Sequence, residues 1–418
     1  MNHCLVLDIG KTNKKALVFD EHYRVVHEQN ARLPETTDDD GFPCEDLPLL
    51  EQWIRDTVAE IQRDPRFQIR AMNATAYGAS FIHLNADAVP VTPLYNYLKP
   101  FPPDLLEWFT KTWKTIGLET ASPLLGHLNS GLQLLWLKHR KPELFRQIKC
   151  SLHLPEWVFR VGFGGLSDGV TASHPVTKTA KPNPATSLGC HTMLWDFRKN
   201  DFHEWVGAEG LINLLSQPVP GAKPLGLHDS SAALIPYLAT FTEPFLLLST
   251  GTWCISLNPF NQEPLTEAEL KADCLCYLSW TGKPVKAARY FGGNEHEKGV
   301  KAIAEALGLP ENFYTNTEPG PAEAMVQYAA LMDEMVQKQL ASIQLALGHS
   351  AVQRIFVDGG FARNEYFMQG LAAAFPTMEV YAAEVPQATA LGAALAIHRD
   401  WNPQPVPNSL ITLKRYLP

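Results

Sequence analysis

The sequence predicts an α/β protein made of two similar lobes. At 418 residues, the chain is long enough for two domains of ordinary size. Apolar runs of strand length alternate with segments of helical composition, which is typical of the α/β class. A pattern of apolar strand, small polar turn and second apolar strand occurs near residue 8 and again at residues 249–252. We therefore expect two related lobes that face each other across a ligand cleft.

Two hairpins carry the strand predictions. Residues Cys4–Asp8 form an apolar run that ends in an acid, and Ala16–Asp20 form a second run after a turn that contains Gly10. Residues Pro244–Thr252 form a longer run into a polar turn, and Trp253–Leu257 resume the strand pattern. Apolar runs of this length, separated by small polar residues, predict strands joined by tight turns.

The last part of the chain predicts a long helix and then a strand, a helix and a strand. Ala322–Leu347 contain neither proline nor glycine, and apolar residues recur there at near-helical spacing up to Gly348, a good residue to end a helix. Ile355–Gly360 form a buried strand that ends in two glycines. Ala362–Ala374 have helical composition, and Val380–Ala382 predict a short strand.

Composition and charge exclude several classes of protein. The chain is 45% hydrophobic and 19% charged, which fits a globular protein with a sizeable core. The formal net charge is −9 and the basic residues form no long run, so a nucleic-acid partner is not expected. Asp8 interrupts the first apolar run and no later run is long enough to cross a bilayer, so neither secretion nor membrane insertion is expected. Seven scattered cysteines without a CxxC pair predict reduced thiols and a cytoplasmic location.

Small polar residues concentrate in the two hairpin turns. Gly10, Thr12, Gly251 and Thr252 supply backbone N–H groups, hydroxyls and room for close approach, which suits an anion that carries several phosphates. A Walker-type GxxxxGK[ST] loop is absent from the sequence. Either turn alone is more often an ordinary hairpin turn, and only their combination with further motifs favours a phosphate site.

Four segments together carry a family resemblance: Leu7–Asn13, Leu248–Trp253, Val357–Asn364 and Gln387–Ala394. In this order they are similar to the two phosphate motifs, the adenosine motif and the small-residue helix start of the FGGY carbohydrate kinases, members of the actin-like ATPase superfamily. Lys11 stands where that family more often has a hydroxyl residue. The resemblance implies an α/β fold of two actin-like (ribonuclease H-like) lobes with a central cleft. Residues 1–235 would form the sugar-binding and catalytic lobe, and residues 236–418 the nucleotide-binding lobe.

A fifth segment, Gly226–Ala233, resembles the family's Gly-x-x-Asp-x-x-Ala-Ala pattern, in which the aspartate is the general base. The resemblance implies that Asp229 takes the proton of the substrate hydroxyl. Phosphoryl transfer is consistent with this role, because it needs one carboxylate within hydrogen-bond reach of the attacking oxygen. Asp229 is also a good N-cap for a helix that begins at Ser230, and the two roles are compatible. Asp168 is a rival candidate that fits a turn better than a catalytic role.

The same resemblance implies the ligands of the site. ATP would be bound by Gly10, Lys11, Thr12, Gly251, Thr252, Gly359, Gly360 and Asn364. Mg²⁺ would lie at Asp8 and be shared with Asp229, because this ion takes only one or two carboxylates and keeps several waters. Tyr77 and Tyr95 would contact the sugar, since an aromatic face with polar groups around it suits a polyol. Ordinary strand tyrosines remain an alternative, as does a solvated lysine cluster at Lys11.

One further cluster, Glu295, His296 and Glu297, has the residue types of a metal site. Adjacent residues point in different directions, so the three side chains are not expected to bind one ion. Acids in the first turn of a helix explain the two glutamates better. The resemblance places this loop near the nucleotide.

The function hypothesis is ATP-dependent phosphorylation of a hydroxyl of a small sugar, a ketose or deoxyketose. The sequence His228-Asp229-Ser230 is most similar to the rhamnulose and fuculose kinase branch. One alternative is a nucleotide-dependent sugar sensor without turnover, because Tyr77 or Gly78 stands where the family has a glutamine. A second alternative is an actin-like ATPase that acts on protein partners. The expected partner is a small sugar, not a membrane, and a homodimer is left open.

Overall fold

The computed structural model describes residues 1–164, 183–219, 221–315 and 320–418. The rival candidate Asp168 lies outside the described residues. The chain forms two compact units: the first comprises Met1–Thr240, Cys276–Pro284 and Pro386–Leu410, and the second comprises Phe241–Leu275, Val285–Val385 and Ile411–Pro418. The predicted boundary after residue 235 falls inside a helix that continues through Pro236 to Thr240.

The strands are β1 (Asn2–Ile9), β2 (Lys14–Phe19), β3 (Val25–Ala31), β4 (Glu35–Thr37), β5 (Pro43–Glu45), β6 (Gln68–Ala76), β7 (Phe81–Leu84), β8 (Cys150–His153), β9 (Trp195–Asp196), β10 (Asp201–Phe202), β11 (Leu227–His228), β12 (Phe245–Thr250), β13 (Cys254–Asn258), β14 (Cys274–Leu278), β15 (Pro284–Tyr290), β16 (Arg354–Gly359), β17 (Glu379–Glu384) and β18 (Thr412–Tyr416).

The helices are α1 (Leu47–Arg63), α2 (Pro103–Thr112), α3 (Ile116–Glu119), α4 (Ser130–Arg140), α5 (Pro142–Phe145), α6 (Leu154–Phe163), α7 (Ala185–Leu188), α8 (Glu204–Ala208), α9 (Asp229–Thr240), α10 (Glu267–Lys271), α11 (Gly292–Leu307), α12 (Ala322–Leu347), α13 (Glu365–Ala374), α14 (Ala388–Ala396) and α15 (His398–Trp401). Short 3₁₀ helices cover Gly126–Leu128, Ile212–Leu214 and Gly360–Arg363.

The first unit is built on a five-stranded sheet in the order β11-β6-β1-β2-β3. β1 runs antiparallel to β2 and parallel to β6, which in turn runs parallel to β11. Residues 4–7 of β1 are fully buried, as expected for a continuous apolar strand. Because parallel strands end at the same edge of a sheet, Asp8 near the end of β1 and His228 at the end of β11 lie at one edge, with β6 between them.

Helices cover this sheet. α6 packs on β6 and against α1, while α14 packs on β1 and β6 and against α9. The start of α1 is capped by Asp46, whose side chain accepts a hydrogen bond from the backbone N–H of Leu49 at 3.0 Å. α9 begins directly after β11, so the sheet edge fixes the place of its first residue, Asp229.

The second unit is built on a seven-stranded sheet in the order β14-β15-β13-β12-β16-β17-β18. The last residues of β14 belong to the first unit. β12, β16 and β17 run parallel, and Thr250 at the end of β12 lies opposite Gly359 at the end of β16. Residues 245–248 are buried. The long helix α12 packs against α11 and α13.

The elements predicted from local patterning are confirmed. β1 and β2 form the first hairpin, β12 and β13 form the second, and α12 spans the predicted residues. The helix predicted over Ala362–Ala374 begins later, because Asn364 caps α13 by accepting a hydrogen bond from the N–H of Phe367 at 3.1 Å. Among helices of the described residues, none combines the length and apolar character needed to cross a bilayer.

Candidate active site

The carboxylate of Asp229 stands at the first residue of α9. Its Oδ1 accepts hydrogen bonds from the backbone N–H of Ser230 at 2.6 Å and from the Ser230 hydroxyl at 3.2 Å. Its Oδ2 receives no hydrogen bond from the described part of the chain. The side chain as a whole is 34% exposed. These bonds come from the adjacent residue, so the N-cap pattern, in which the second or third helical N–H is bound, is not what holds this carboxylate.

Asp8 is the second partly exposed carboxylate at this sheet edge. Its Oδ2 accepts a hydrogen bond of 2.7 Å from the hydroxyl of Thr389. Burial raises the pKa of Asp8 to about 6, and the negative charge of Asp229 adds to the rise, whereas the Thr389 hydrogen bond and the charge of Lys15 oppose it. Burial also raises the pKa of Asp229 to about 6. Both groups are therefore mostly ionised at neutral pH and more basic than an ordinary aspartate.

Asp8 and Asp229 place two like charges near each other at one edge of the sheet. A cation would neutralise both carboxylates, and carboxylate oxygens are ligands that Mg²⁺ takes. Thr389 binds Oδ2 of Asp8 and Ser230 binds Oδ1 of Asp229. Each carboxylate thus keeps one oxygen that accepts no hydrogen bond from the residues described.

His228 packs beside the candidate base. Its Nε2 lies 3.2 Å from Oδ1 of Asp229 and forms a hydrogen bond with Sγ of Cys190 at 3.1 Å. Burial lowers the pKa of His228 to about 3, so the ring is neutral. A Cβ atom at Gly78 would lie 2.8 Å from Nε2. A side chain at position 78 would therefore require this ring to shift.

A polar and aromatic group surrounds Glu45, a buried carboxylate at the end of β5. Its Oε1 accepts a hydrogen bond from the Tyr77 hydroxyl at 2.9 Å and lies 3.5 Å from Nζ of Lys11. The rings of Tyr77 and Tyr97 meet edge to face with centroids 6.1 Å apart. Burial raises the pKa of Tyr97, and the charge of Asp229 contributes to that rise. Tyr97 is therefore within electrostatic reach of the candidate base.

Tyr95 has a different environment from the one its predicted role requires. Its hydroxyl donates to the Asp39 carboxylate at 3.0 Å, and its ring meets Trp136 edge to face at 4.9 Å. The ammonium groups of Lys99 and Lys141 lie 5.1 and 5.8 Å from the centre of the tyrosine ring. Tyr95 is 1% exposed, so its described contacts are those of a core residue.

The first hairpin turn is fixed by its own backbone. The N–H of Gly10 donates to the carbonyl of Asn13 at 2.9 Å. The buried ammonium of Lys14 donates to the carbonyls of Gly10 and Lys11 at 3.1 and 2.9 Å. Thr12 lies exposed in the turn. The turn is therefore held in shape from within, while the ammonium of Lys11 donates a hydrogen bond to Glu35 at 3.1 Å and lies 3.5 Å from Glu45.

The second unit contains a cavity of about 470 Å³. Three residues predicted to bind the nucleotide, Gly251, Gly360 and Asn364, line it together with Gly293, His296, Tyr314, Thr315, Tyr328, Phe361, Arg363, Glu365 and Tyr366. The volume and the aromatic lining suit a purine nucleoside. Thr252 is exposed in the same turn as Gly251.

Tyr328 organises the lining of this nucleoside cavity. Its hydroxyl accepts a hydrogen bond from Nδ2 of Asn364 at 2.6 Å and forms a hydrogen bond with Nε2 of His296 at 3.1 Å. Its ring stacks on Tyr314 with centroids 4.8 Å apart and 19° between the planes. Burial lowers the pKa of His296, so the imidazole is neutral and can accept from the tyrosine. These two hydrogen bonds and the stacking on Tyr314 hold the Tyr328 ring in place along one side of the cavity.

Glycine is required where the strand ends of this unit approach each other. Gly359 has φ +89°, and a Cβ atom there would lie 1.9 Å from the carbonyl oxygen of Thr250. The Thr250 hydroxyl accepts from the N–H of Phe361 at 3.0 Å and donates to the carbonyl of Asp358. A Cβ atom at Gly293 would lie 2.0 Å from the carbonyl oxygen of Gly251. The backbone at Thr250 and Gly251 thus packs directly against the backbone of Gly359 and of Gly293 at the start of α11.

The side chains of Glu295, His296 and Glu297 on α11 do not meet at one point, as expected. Glu295 accepts from the Tyr290 hydroxyl at 2.8 Å and pairs with Lys338 at 2.7 Å. His296 lines the nucleoside cavity, and Glu297 is exposed. The three side chains thus have different surroundings.

The segment Gln387–Ala394 has a position that its resemblance did not indicate. It forms α14 in the first unit and packs against α9, where a Cβ atom at Gly392 would lie 1.9 Å from the carbonyl oxygen of Ala232. Sequence reasoning also missed Thr389 beside Asp8 and Tyr328 in the cavity. The sequence contains a usable signal only for Thr389, which is a polar residue in a helix made otherwise of small apolar residues.

Three family models identify the class of this chain as a carbohydrate kinase. The family model "FGGY family of carbohydrate kinases, N-terminal domain" matches residues 3–171. The models "Carbohydrate kinase FGGY, C-terminal domain" and "FGGY family of carbohydrate kinases, C-terminal domain" match residues 242–313 and 323–399. The chain belongs to the FGGY family of carbohydrate kinases, which use ATP as co-substrate. This confirms the predicted family, enzyme class and α/β fold of two actin-like lobes.

Solved structures agree with this fold. A carbohydrate kinase from Novosphingobium aromaticivorans is 24% identical over 99% of this chain and 96% of its own, with a TM-score of 0.76. The xylulose kinase from Rhodospirillum rubrum is 14% identical over 100% of this chain and 94% of its own, with a TM-score of 0.77. The Plasmodium falciparum glycerol kinase, solved with ADP, is 15% identical over 96% and 90%, with a TM-score of 0.69. No curated protein matches the chain significantly.

Proposed function

We propose that this kinase transfers the γ-phosphoryl group of ATP to a hydroxyl of a small ketose or deoxyketose, with Asp229 as the general base. The observation that carries the proposal is the Asp229 carboxylate: Ser230 donates to Oδ1, Oδ2 accepts no hydrogen bond from the described residues, and the side chain is about one-third exposed. A carboxylate held in this way can accept a proton without first breaking a bond to the protein.

In the proposed reaction, Oδ2 of Asp229 takes the proton of the acceptor hydroxyl. The acceptor oxygen bonds to the γ-phosphorus as the bond between that phosphorus and the bridging oxygen of ADP breaks. ADP and the sugar phosphate are the products. Burial supports this role, because a pKa raised to about 6 makes the carboxylate a stronger base while it stays ionised at neutral pH.

Asp8 and Asp229 are the residues that would hold Mg²⁺. When bound, the ion supplies charge neutralisation for the phosphates. The chain's own contribution is the pair of partly buried carboxylates and the turns that hold anions. Gly10 and Thr12 in the first unit, and Gly251, Thr252, Gly359, Gly360 and Asn364 in the second, are the proposed nucleotide contacts. Lys11 keeps its proposed phosphate role only if it leaves its hydrogen bond with Glu35 and its contact with Glu45.

Tyr77 and Tyr97 are the proposed sugar contacts. Tyr77 donates to Glu45 and meets the ring of Tyr97, so the pair offers an aromatic edge beside phenol and carboxylate groups. Such a surface suits a polyol chain. Tyr95 is engaged with Asp39 in the core, and its proposed sugar contact would need that bond to open.

A panel of ketoses, deoxyketoses and polyols, assayed for ADP release with the purified chain, tests the function. We expect turnover with one ketose or deoxyketose far above the rate without sugar. Phosphorylation of only a polyol or an aldonic acid would refute the substrate class. ATP binding without phosphorylation of any acceptor would favour the sugar sensor, and sugar-independent hydrolysis would favour an ATPase that acts on proteins. We further propose a cytoplasmic location, as ATP dependence and the scattered cysteines suggest.

A further inference from the structure

Thr389 makes a long-range contact with the phosphate-motif aspartate. Its hydroxyl donates a hydrogen bond of 2.7 Å to Oδ2 of Asp8, although the two residues are 381 positions apart. A hydroxyl that donates to a carboxylate forms a short, charge-assisted bond, about twice as strong as a neutral one. The bond fixes both the rotation of the carboxylate and which of its oxygens remains open.

Thr389 is itself held on a rigid element. It lies in the first turn of α14, and Gln387 before that helix adopts a left-handed conformation with φ 53°. The side-chain oxygen of Gln387 accepts from Nζ of Lys15 at 2.7 Å, and Lys15 lies opposite Asp8 in the β1–β2 pair. Gly392 in the same helix is packed on Ala232 of α9. The hydroxyl therefore reaches Asp8 from a helix that is anchored to both neighbouring elements.

We propose that Thr389 is a positioning residue, which orients the Asp8 carboxylate so that Oδ1 is presented to a divalent cation or its water. This inference rests on the proposed function, in which Asp8 holds Mg²⁺. Removal of the hydroxyl would leave Asp8 free to rotate and to pair elsewhere. The expected consequence is weaker cation binding with an intact fold.

The chain offers a matched control at Thr75. Thr75 lies opposite Asp8 on β6, and its buried hydroxyl has no hydrogen-bond partner among the residues described. Thr75→Val and Thr389→Val thus make the same chemical change on neighbouring elements, and only the second breaks a bond to Asp8. Thr389→Ser retains a hydroxyl at the position and tests rescue.

The test measures binding of Mn²⁺, a probe for the divalent site, by the decrease of the free-ion EPR signal in the presence of saturating ADP. We expect Thr389→Val to weaken Mn²⁺ binding about tenfold, the size of a lost charge-assisted bond. Thr389→Ser and Thr75→Val should stay within about twofold of wild type. Thermal unfolding confirms that each variant is folded, and Thr389→Ala replaces Thr389→Val if that variant does not fold.

Equal Mn²⁺ binding by Thr389→Val and wild type would overturn the proposal, as would an equal loss in Thr75→Val or failure of the wild type to bind Mn²⁺ with ADP. The readout does not depend on sugar turnover. A loss confined to Thr389→Val therefore supports the role of Thr389 even if the sugar panel shows no phosphorylation, and the two hypotheses fail separately.

Discussion

Replacement of Gly392 by alanine should displace the helix that carries the base. The new Cβ atom would lie 1.9 Å from the carbonyl oxygen of Ala232, whereas ordinary contact begins at 3.4 Å. The two helices must therefore separate by about 1.5 Å. Overpacking of this kind costs about 1–3 kcal/mol of stability. Because Asp229 is the first residue of α9, a shift of about 1 Å there should lower kcat about 100-fold.

Gly207 in α8 provides the matched control, because a Cβ atom there meets no atom within 4 Å. Gly207→Ala should keep wild-type kcat and gain up to about 1 kcal/mol of stability. ADP-release kinetics and thermal unfolding of both variants give the comparison. If Gly392→Ala kept both the kcat and the melting temperature of the wild type, the argument that α14 positions α9 through this close contact would be wrong.

Two further predictions concern the nucleoside cavity and a buried acid. Tyr328→Phe removes the hydroxyl shared by Asn364 and His296. The KM for ATP should therefore rise about 5- to 10-fold with little change in kcat, measured by ATP saturation curves. An unchanged KM would contradict the role of this hydroxyl in shaping the ATP site. Burial raises the pKa of Glu156 to about 7 from 4.5. The unfolded chain therefore releases this proton at lower pH than the folded chain, and stability falls as pH rises from about 4.5 to 7. Glu156→Gln removes that loss and should stabilise the protein by about 3 kcal/mol at pH 8 but not at pH 4. Denaturant unfolding at the two pH values measures the difference, and a destabilised variant at pH 8 would contradict it.

Local patterns predict several central elements of the fold. The apolar runs of β1, β2, β12 and β13 and the uninterrupted helical spacing of α12 are visible in the sequence, because each depends on neighbouring residues. The position of α14 is not predictable in this way. Its small residues are explained only by the helix that it meets in space, at Ala232.

The candidate site is predictable in part for the same reason. Motif resemblance indicates Asp8 and Asp229, which lie at one sheet edge because β1, β6 and β11 are parallel. Resemblance does not distinguish Tyr95 from Tyr97, since both are tyrosines of the same short segment. Only the structure shows that Tyr95 contacts Asp39 and that Tyr97 contacts Tyr77. The contact between Thr389 and Asp8 joins positions 381 residues apart, and only the folded chain brings them together.

The most direct test of the account is the turnover of Asp229→Asn with the sugar identified by the panel. Asparagine keeps the shape of the side chain but cannot take a proton at neutral pH. We predict that the kcat of Asp229→Asn is at least 1,000-fold below wild type, within the 10²–10⁴-fold typical of a general base. Its ATP affinity and melting temperature should stay close to wild type. A kcat within tenfold of wild type would contradict the assignment of Asp229 as the base.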